Sequence, residues 1–486
     1  MMRRRAFPAG LAAALLSLSA GTALARELDP FTIGDRVSAT PARAMTSGAE
    51  GTDPCQFGPP GTPLGLAEAV ERAICHNPQS RQAWANAKAQ AAAVGVRLSA
   101  YLPTVSASFG SAKQKNTTAI ENYGGLGPFS FSSRPTIRST GLKLSWMLTD
   151  FGLRSAQLDQ ARALLDAANA THDATLQAAL LNAAQAYFDT LTALAALDAA
   201  NEAENAAKES FLAAEAKYKA GVGGLTDQLQ ASTAYAQARL DRVTAGGDLK
   251  NAQGSLAIAM GLTVSMPLVL VRHNGALPDT AFVKAIDDLI DDAQHNHPSL
   301  LAAQAELTAA KASVDAVRAE GRPNIALTSE FSRQNQLGQP PSLGLAPTSV
   351  TSTSNAVGVQ LTIPLFEGFG RGYRIKTAEG QAESKAAELE KTKRQVTLDV
   401  WKSYQLLETE SANLKAAGEL VSNARESFNV ARGRYKAGVG NIIELLNAQS
   451  ALANAERQRI KSVSNWHTAR LKLAASVGKI GLWAIR

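Results

Sequence analysis

The sequence has few of the residues that catalysis, metal binding or a helical membrane span require. Its 486 residues include two cysteines and six histidines, and no apolar run reaches the roughly 20 residues of a membrane-spanning helix. The 49 basic residues are dispersed among 42 acidic ones, and aromatic residues make up only 6% of the chain. These shortages argue against a helical membrane protein, a nucleic-acid-binding protein and an enzyme, and we expect no cofactor.

Two local patterns resemble chemical sites, but each has a plainer interpretation. Residues 150–152 read Asp-Phe-Gly, yet the H-R-D and glycine-rich motifs of a kinase are missing. His295 and His297 follow two aspartates and could suggest a metal site. The same segment is better interpreted as a helix end before Pro298. We therefore predict neither an enzyme nor a metal site.

The N-terminus is typical of an exported protein. Three arginines at positions 3–5 precede a short apolar stretch from about Ala9 to Leu18, and Ala23-Leu-Ala25 follows. This order predicts a secretory signal peptide over residues 1–25. Residues 26–63 are rich in Pro, Gly, Ser and Thr without periodicity, which predicts an irregular extension.

The two cysteines, Cys55 and Cys75, fall on either side of the start of the first predicted helix. In an oxidising compartment such a pair can form a disulfide, and the alternative is two separate thiols. We predict the bridge, which would tie the N-terminal extension to the first helix. The absence of a C-x-x-C motif argues against a catalytic role.

The sequence contains an internal duplication. Tyr218-Lys-Ala-Gly-Val-Gly recurs from Tyr435, and the same offset of 217 positions relates Gly141 to Gly358. A duplication of this length predicts two copies of one large structural unit. We place repeat 1 at residues 64–262, a linker at 263–281, repeat 2 at 282–478 and a tail at 479–486.

Each repeat is predicted to contain a helix, two strands, a very long helix, a turn and a last helix. Apolar and alanine positions at spacings of three, four and seven predict the helices, and alternation with period two predicts the strands. The long helices would be about 100 Å at 1.5 Å per residue. In repeat 1 the predicted elements are a helix over 66–100, strands over about 104–115 and 137–149 flanking a loop at 116–136, and helices over 153–218 and 226–260. In repeat 2 they are a helix over 282–320, strands over about 324–334 and 355–366 flanking a loop at 335–354, and helices over 373–435 and 443–477.

The predicted strands each have one apolar face. Their length and alternation are typical of outer-membrane barrel strands. Because an open sheet edge cannot lie in lipid, four strands would have to close with strands from other chains. The alternative is a soluble sheet with one buried face. In the barrel interpretation the lipid-facing residues are Leu142, Leu144, Leu361 and Ile363, and the lumen-facing residues are Lys143 and Gln360.

At this level the sequence resembles the TolC-like outer-membrane efflux and secretion channels, over about residues 64–478. The residues that carry the resemblance are Leu66-Ala-Glu-Ala-Val, Asn77-Pro78, Tyr101-Leu-Pro103, Ile363-Pro-Leu-Phe-Glu-Gly368, Arg434-Tyr-Lys-Ala-Gly-Val-Gly and Glu444-Leu-Leu-Asn-Ala-Gln449. The resemblance implies a mainly α-helical protein with a membrane β-barrel. Three chains would form a twelve-stranded barrel in the outer membrane and an α-helical barrel extending into the periplasm.

The resemblance also implies partners. These are two further copies of the chain, outer-membrane lipid, a periplasmic adaptor (a membrane-fusion protein) and an inner-membrane ABC or proton-driven pump. The N-terminal extension with its cysteine pair is similar to the CyaE-like branch that secretes cyclolysin, so the cargo is either a protein toxin or a small molecule. A competing interpretation is a periplasmic coiled-coil adaptor or structural protein without a barrel.

The residues of the two helix turns are the candidate functional site. By position in the family, Asp227 and Tyr435 match residues that close the periplasmic tip, while Gly440 replaces an arginine that links neighbouring helices. With that arginine missing, closure is expected to depend on a hydrogen bond between Asp227 and Tyr435. Glu444 matches an acidic ring in the pore, although Asn447 replaces a second acid. A plainer interpretation of Glu444 is a solvated acid at a helix start. The turn residues expected to contact the adaptor are Tyr218, Gly221, Gly223 and Gly438.

Overall fold

A computed structural model describes residues 29–38, 55, 63–121, 127–266, 268–271, 285–339 and 348–479. The predicted signal peptide, most of the N-terminal extension and residues 480–486 lie outside these ranges. The chain divides into two units. Unit 1 comprises residues 1–36, 89–165 and 306–385, and unit 2 comprises residues 37–88, 166–305 and 386–486.

The helices follow the same order in both repeats. Repeat 1 contains α1 (Leu66–His76), α2 (Pro78–Ser99), α3 (Leu153–Lys219) and α4 (Leu225–Ala259). Repeat 2 contains α5 (Ile286–Asn296), α6 (Pro298–Ala319), α7 (Gly370–Lys436) and α8 (Ile442–Ser476). The long helices α3 and α7 have 67 residues each, and α4 and α8 have 35 each. The four end within one residue of the predicted positions.

One helix per repeat was predicted where the structure has two. The first breaks at Asn77, whose ψ of 123° is extended, and the second breaks at His297, whose ψ is 122°. Both residues precede a proline, and the proline ring disfavours helical geometry in the residue before it. The prediction of one continuous helix over 66–100 was therefore wrong. In repeat 2 the single range 282–320 was too coarse, while the helix end expected before Pro298 is confirmed.

Unit 1 contains a four-stranded antiparallel sheet. Its strands are β1 (Thr104–Lys113), β4 (Thr136–Thr149), β5 (Asn324–Gln339) and β6 (Thr348–Thr362), in the spatial order β1-β4-β5-β6. A separate hairpin pairs β2 (Asn116–Ile120) with β3 (Phe129–Ser133).

Three details of the strands differ from the prediction. The loop predicted at 116–136 contains β2 and β3, which have only five residues each. The loop predicted at 335–354 is shorter, because β5 continues to Gln339 and β6 begins at Thr348. Strand β6 ends at Thr362 rather than 366. Pro364, which lacks an N–H to donate, lies just beyond that end.

The register of the sheet places apolar side chains on one face. Leu142 is opposite Ala107 on one side and Phe331 on the other, and Leu144 is opposite Val105. The apolar face comprises Val105, Ala107, Phe109, Leu142, Leu144, Trp146, Leu327, Phe331, Val357, Val359 and Leu361.

The other face of the sheet is polar. Lys143 is directly opposite Glu330, and Gln360 shares their face. The predicted grouping of Leu142, Leu144 and Leu361 against Lys143 and Gln360 is confirmed, whereas Ile363 lies beyond the end of β6.

The Asp-Phe-Gly segment forms a structural junction between β4 and α3. Asp150 accepts a hydrogen bond from the Arg154 side chain at 2.7 Å, and Arg154 also donates to the Met147 carbonyl at 2.8 Å. The equivalent junction after β6 pairs Glu367 with Arg371 at 2.6 Å. The duplicated acid and arginine therefore fasten the start of each long helix.

The core of unit 2 includes apolar residues of α3 at spacings of four and seven. Leu176, Leu180 and Tyr187 are almost completely buried, and the Tyr187 hydroxyl donates to the Leu64 carbonyl at 3.3 Å. Among the described residues, none of the helices is long and apolar enough to cross a membrane.

The structure joins Cys55 and Cys75 by a disulfide, with their Cα atoms 5.8 Å apart. That separation is typical of disulfides. Cys75 lies in α1, so the bridge attaches the extension to the helix that the sequence indicated. Its formation in the exported protein stays a prediction.

Candidate functional site at the helix turns

The turn between α3 and α4 closes with a Schellman motif. The Val222 N–H donates to the Lys217 carbonyl at 3.0 Å, and the Gly221 N–H donates to the Tyr218 carbonyl at 2.9 Å. Gly221 has a φ of +73°, a left-handed conformation that glycine adopts without steric cost.

The turn between α7 and α8 repeats this geometry. The Val439 N–H donates to the Arg434 carbonyl at 3.0 Å, and the Gly438 N–H donates to the Tyr435 carbonyl at 3.2 Å. Gly438 has a φ of +80°. The shared hexapeptide therefore builds the same turn twice.

Gly223 and Gly440 are held close to the helix that precedes them. A Cβ atom at Gly223 would lie 3.0 Å from the Lys217 Cβ, and one at Gly440 would lie 3.0 Å from the Arg434 Cβ. A side chain at position 440, such as the arginine that the family resemblance implies, would be tightly packed against Arg434, which would have to move by a few tenths of an ångström.

Tyr435 is held by a lysine from repeat 1. The Lys217 Nζ donates to the Tyr435 carbonyl at 2.7 Å and lies 3.8 Å from the centroid of the Tyr435 ring. The tyrosine is only 5% exposed. Burial raises the pKa of the Tyr435 hydroxyl, and the nearby Asp227 carboxylate raises that pKa further.

Asp227 lies in the first turn of α4. We expected a hydrogen bond between Asp227 and Tyr435, but in the part of the chain that the structure describes these two side chains interact only through charge. Lys217 instead contacts both the ring and the carbonyl of Tyr435. Asp227 therefore adds negative charge beside the tyrosine without fixing its hydroxyl.

Glu444 lies in the first turn of α8, and Asn441 is the N-cap of that helix. The Asn441 Oδ1 accepts a hydrogen bond from the Glu444 N–H at 2.7 Å, a typical N-cap. The Arg434 Nε lies 3.3 Å from a Glu444 carboxylate oxygen, and both side chains are about half exposed. This geometry matches the plainer interpretation of a helix-start acid and also partly neutralises the carboxylate.

Sequence reasoning missed Lys217 and Arg434. Both precede the tyrosine of the duplicated hexapeptide and differ from each other only in the type of basic side chain. Their equivalent placement before the two tyrosines was the available signal.

The histidines near residue 296 serve the helix junction. The His295 Nδ1 lies 2.8 Å from the Asp291 carbonyl, and the His297 Nδ1 accepts a hydrogen bond from the Ser299 N–H at 3.2 Å. Within the described ranges, no group of three or more His, Cys, Asp or Glu side chains could hold a metal ion.

Comparison with known proteins places this architecture in a family. The sequence matches the family described as "Outer membrane efflux protein" over residues 69–262 and 289–479. It is 32% identical to Protein CyaE of Bordetella pertussis over 86% of this chain and 85% of that protein. It is 24% identical to the outer membrane protein TolC of Vibrio cholerae, over 85% of this chain and 91% of that protein.

The fold is also similar to that of solved channels. The structure of the outer-membrane channel OprN superposes with a TM-score of 0.72 at 20% identity, covering 85% of this chain and 90% of that one. The predicted resemblance to TolC-like proteins and the predicted outer-membrane location are confirmed, and the alternative of an adaptor without a barrel is not supported. The chain belongs to the outer membrane efflux protein family and is a TolC-like channel protein of the bacterial outer membrane.

Proposed function

We propose that this protein is the exit duct of a tripartite type I secretion or efflux system. It would take substrate from an inner-membrane pump and a periplasmic adaptor and release it outside the cell. The observation that carries the proposal is the four-stranded sheet of unit 1, which has one apolar and one polar face. In a barrel wall the apolar face would contact lipid and the polar face would line a wet lumen.

The sheet edges support assembly from several chains. Strands β1 and β6 are the outer strands of the four-stranded sheet. Unpaired backbone groups at these edges would be costly in lipid, so the edges must pair with other strands. Bacterial barrels have at least about eight strands. Three chains would supply twelve and close the wall, which makes a homotrimer the proposed assembly.

The exposed turns support contact with an adaptor. Val222 is 76% exposed and Val439 is 69% exposed, although both are aliphatic. Each follows the left-handed glycine of its turn, so the two Schellman motifs present apolar side chains at equivalent points. A periplasmic adaptor with matching apolar pockets would bury these side chains.

The cargo separates two versions of the proposal. The sequence resemblance to the CyaE-like secretion branch would imply protein secretion, whereas the family description, outer membrane efflux protein, favours efflux. Both versions are tested in a strain that lacks the gene. Its extracellular proteins and its susceptibility to antibiotics and solvents are each compared with those of the parent strain. Loss of a secreted protein alone would indicate secretion, and increased susceptibility alone would indicate efflux.

The barrel itself is tested with two arginine variants. Leu144→Arg places a charge on the apolar face and should cost about 2–4 kcal/mol near the bilayer midplane. Lys143→Arg keeps the charge on the polar face and is the matched control. We expect the parent and the control to resist urea and carbonate extraction and to give discrete conductance steps in planar bilayers, and Leu144→Arg to do neither. A Leu144→Arg protein that assembles like the parent would contradict the proposed facing.

A further inference from the structure

The two repeats meet within one chain through an unequal pair of surfaces near the turns. Repeat 1 contributes Phe211, Ala214 and Ala231 to an apolar cluster. Repeat 2 contributes Phe428, Ala431, Tyr435, Ile442, Leu445 and Ala448 to the same cluster. Lys217 of repeat 1 contacts the ring and carbonyl of Tyr435 of repeat 2, and the Asp227 carboxylate of repeat 1 is near enough to raise the pKa of the Tyr435 hydroxyl. We name this arrangement the tyrosine clamp: a basic and an acidic residue of one repeat around the tyrosine of the next.

The duplication supplies a second set of clamp residues. Arg434 is equivalent to Lys217, Glu444 to Asp227, and Tyr218 to Tyr435. Arg434 and Glu444 already lie together as an ion pair at 3.3 Å. The tyrosine that they would flank is Tyr218, which belongs to repeat 1.

Tyr218 and Leu225, both in repeat 1, are exposed to solvent in the single chain. Tyr218 is 43% exposed, whereas Tyr435 is 5% exposed. Leu225 is 52% exposed, whereas its equivalent Ile442 is 1% exposed. Tyr435 and Ile442 of repeat 2 are thus buried against repeat 1, whereas the equivalent residues of repeat 1, Tyr218 and Leu225, form a duplicate surface that the described residues leave exposed.

We propose that this duplicate surface binds repeat 2 of a second copy of the chain, with Arg434 and Glu444 of that copy flanking Tyr218. The inference rests on the proposed multi-chain channel and assigns the residues of one contact between its subunits. Such a contact joins two different surfaces, so it can propagate around a ring until the ring closes. Arginine suits the position because its planar guanidinium stacks on an aromatic ring while pairing with a carboxylate.

The assignment predicts two different outcomes for two equivalent tyrosines. The photoreactive residue p-benzoylphenylalanine is placed at position 218 in the full-length protein in outer membranes, and irradiation should give a product of twice the chain mass. Its cross-linked peptide should contain residues close to 434–444. The same probe at position 435 is the matched control and should cross-link within one chain, near Lys217. A second probe at position 225 should behave like the one at 218.

Variants at Arg434 test the clamp itself. With the probe at 218, Arg434→Ala should lower the two-chain product at least three-fold, and Arg434→Lys should restore most of it, because lysine performs this role in repeat 1. Cross-linking from both 218 and 225 to a different segment, to a different protein or only within one chain would overturn the inference. Native mass measured on the same samples separates the two proposals. A multi-chain particle with the wrong cross-link rejects the clamp alone, and a single-chain particle rejects the multi-chain channel as well.

Discussion

The two helix turns have the same six residues and share the two hydrogen bonds of the Schellman motif, yet their tyrosines differ in burial. Both turns close with a Schellman motif around a left-handed glycine. Tyr435 is nevertheless buried beneath Lys217, whereas Tyr218 is exposed. Local sequence therefore determines the turn, and the neighbouring repeat determines the burial. Repeat 2 has repeat 1 beside it in the same chain, and in our proposal a second copy of the chain supplies the equivalent contact to repeat 1.

Truncating the two tyrosines should give the largest difference in stability between the two turns. Tyr435→Ala removes a buried aromatic ring, and we expect a loss of about 3–5 kcal/mol, the range typical of such changes in protein cores. Tyr218→Ala should cost far less in a dissociated chain, because its ring is already exposed, but should weaken the assembled particle. Denaturant unfolding of dissociated and assembled protein measures both. Equal losses for the two variants in the dissociated chain would contradict the difference in burial.

Changing the left-handed glycines should affect both turns alike. Gly221→Val and Gly438→Val each force a β-branched residue into a positive φ, which costs about 1–3 kcal/mol. Gly247→Ala is the control, because nothing lies within 4 Å of the added Cβ and alanine favours a helix. Thermal unfolding should show two similar decreases and no decrease for the control. A large decrease in only one turn would show that the turns are not equivalent.

Loosening the clamp on Tyr435 should open the tip. Lys217→Ala removes the contacts to the ring and carbonyl of Tyr435, and Asp227→Ala removes the charge beside them. We predict higher single-channel conductance in planar bilayers for both variants, with the larger increase for Lys217→Ala. Tyr435→Phe keeps the ring and the carbonyl that Lys217 contacts, so its conductance should stay near the parent value. If conductance also stays at the parent value for Lys217→Ala and Asp227→Ala, these residues do not close the pore.

Neutralising Glu444 should have a smaller effect than opening the tip. Glu444→Gln should reduce cation selectivity only modestly and leave conductance nearly unchanged, because Arg434 already offsets the carboxylate charge. Arg434→Ala exposes that charge and should increase cation selectivity. Reversal potentials in a salt gradient measure both, and no change in either variant would place Glu444 away from the ion path.

The disulfide is a further difference between the two repeats. Its removal should have the smallest effect on transport of all the changes considered. Cys75 lies in α1, whereas the equivalent segment of repeat 2 carries His295 before its proline. Thiol labelling of the mature protein without reductant should find no free cysteine. The double variant Cys55→Ser, Cys75→Ser should keep its conductance. Complete labelling of both cysteines in the parent would refute the bridge.

Much of the fold could be predicted because its signals repeat. The long helices and the turns after them each occur twice with the same glycines, and the apolar face of the sheet follows from alternation at Leu142 and Leu144. The helix end before Pro298 was indicated by the proline and is confirmed, whereas the equivalent break before Pro78 was missed. Strands β2 and β3 were missed because they have only five residues each and lie in a segment rich in Gly, Pro, Asn and Ser, which favours a loop.

The candidate site could be predicted only in part. The turn glycines and Tyr435 follow from the duplication and the family resemblance. The role of Lys217 depends on how α3 approaches α7, which no local pattern of residues encodes. The pairing of Arg434 with Glu444 likewise depends on the distance across the turn, and it reduces the charge that the acidic ring would otherwise carry.

Native mass spectrometry of the protein extracted in mild detergent tests the central claim most directly. The single chain has two open sheet edges and an exposed surface around Tyr218. It should therefore be isolated as a particle of three copies. In that particle, the backbone amides of β1 and β6 should exchange slowly with deuterium because other chains cover them. A stable single-chain particle in which these two edge strands are already protected would contradict the account.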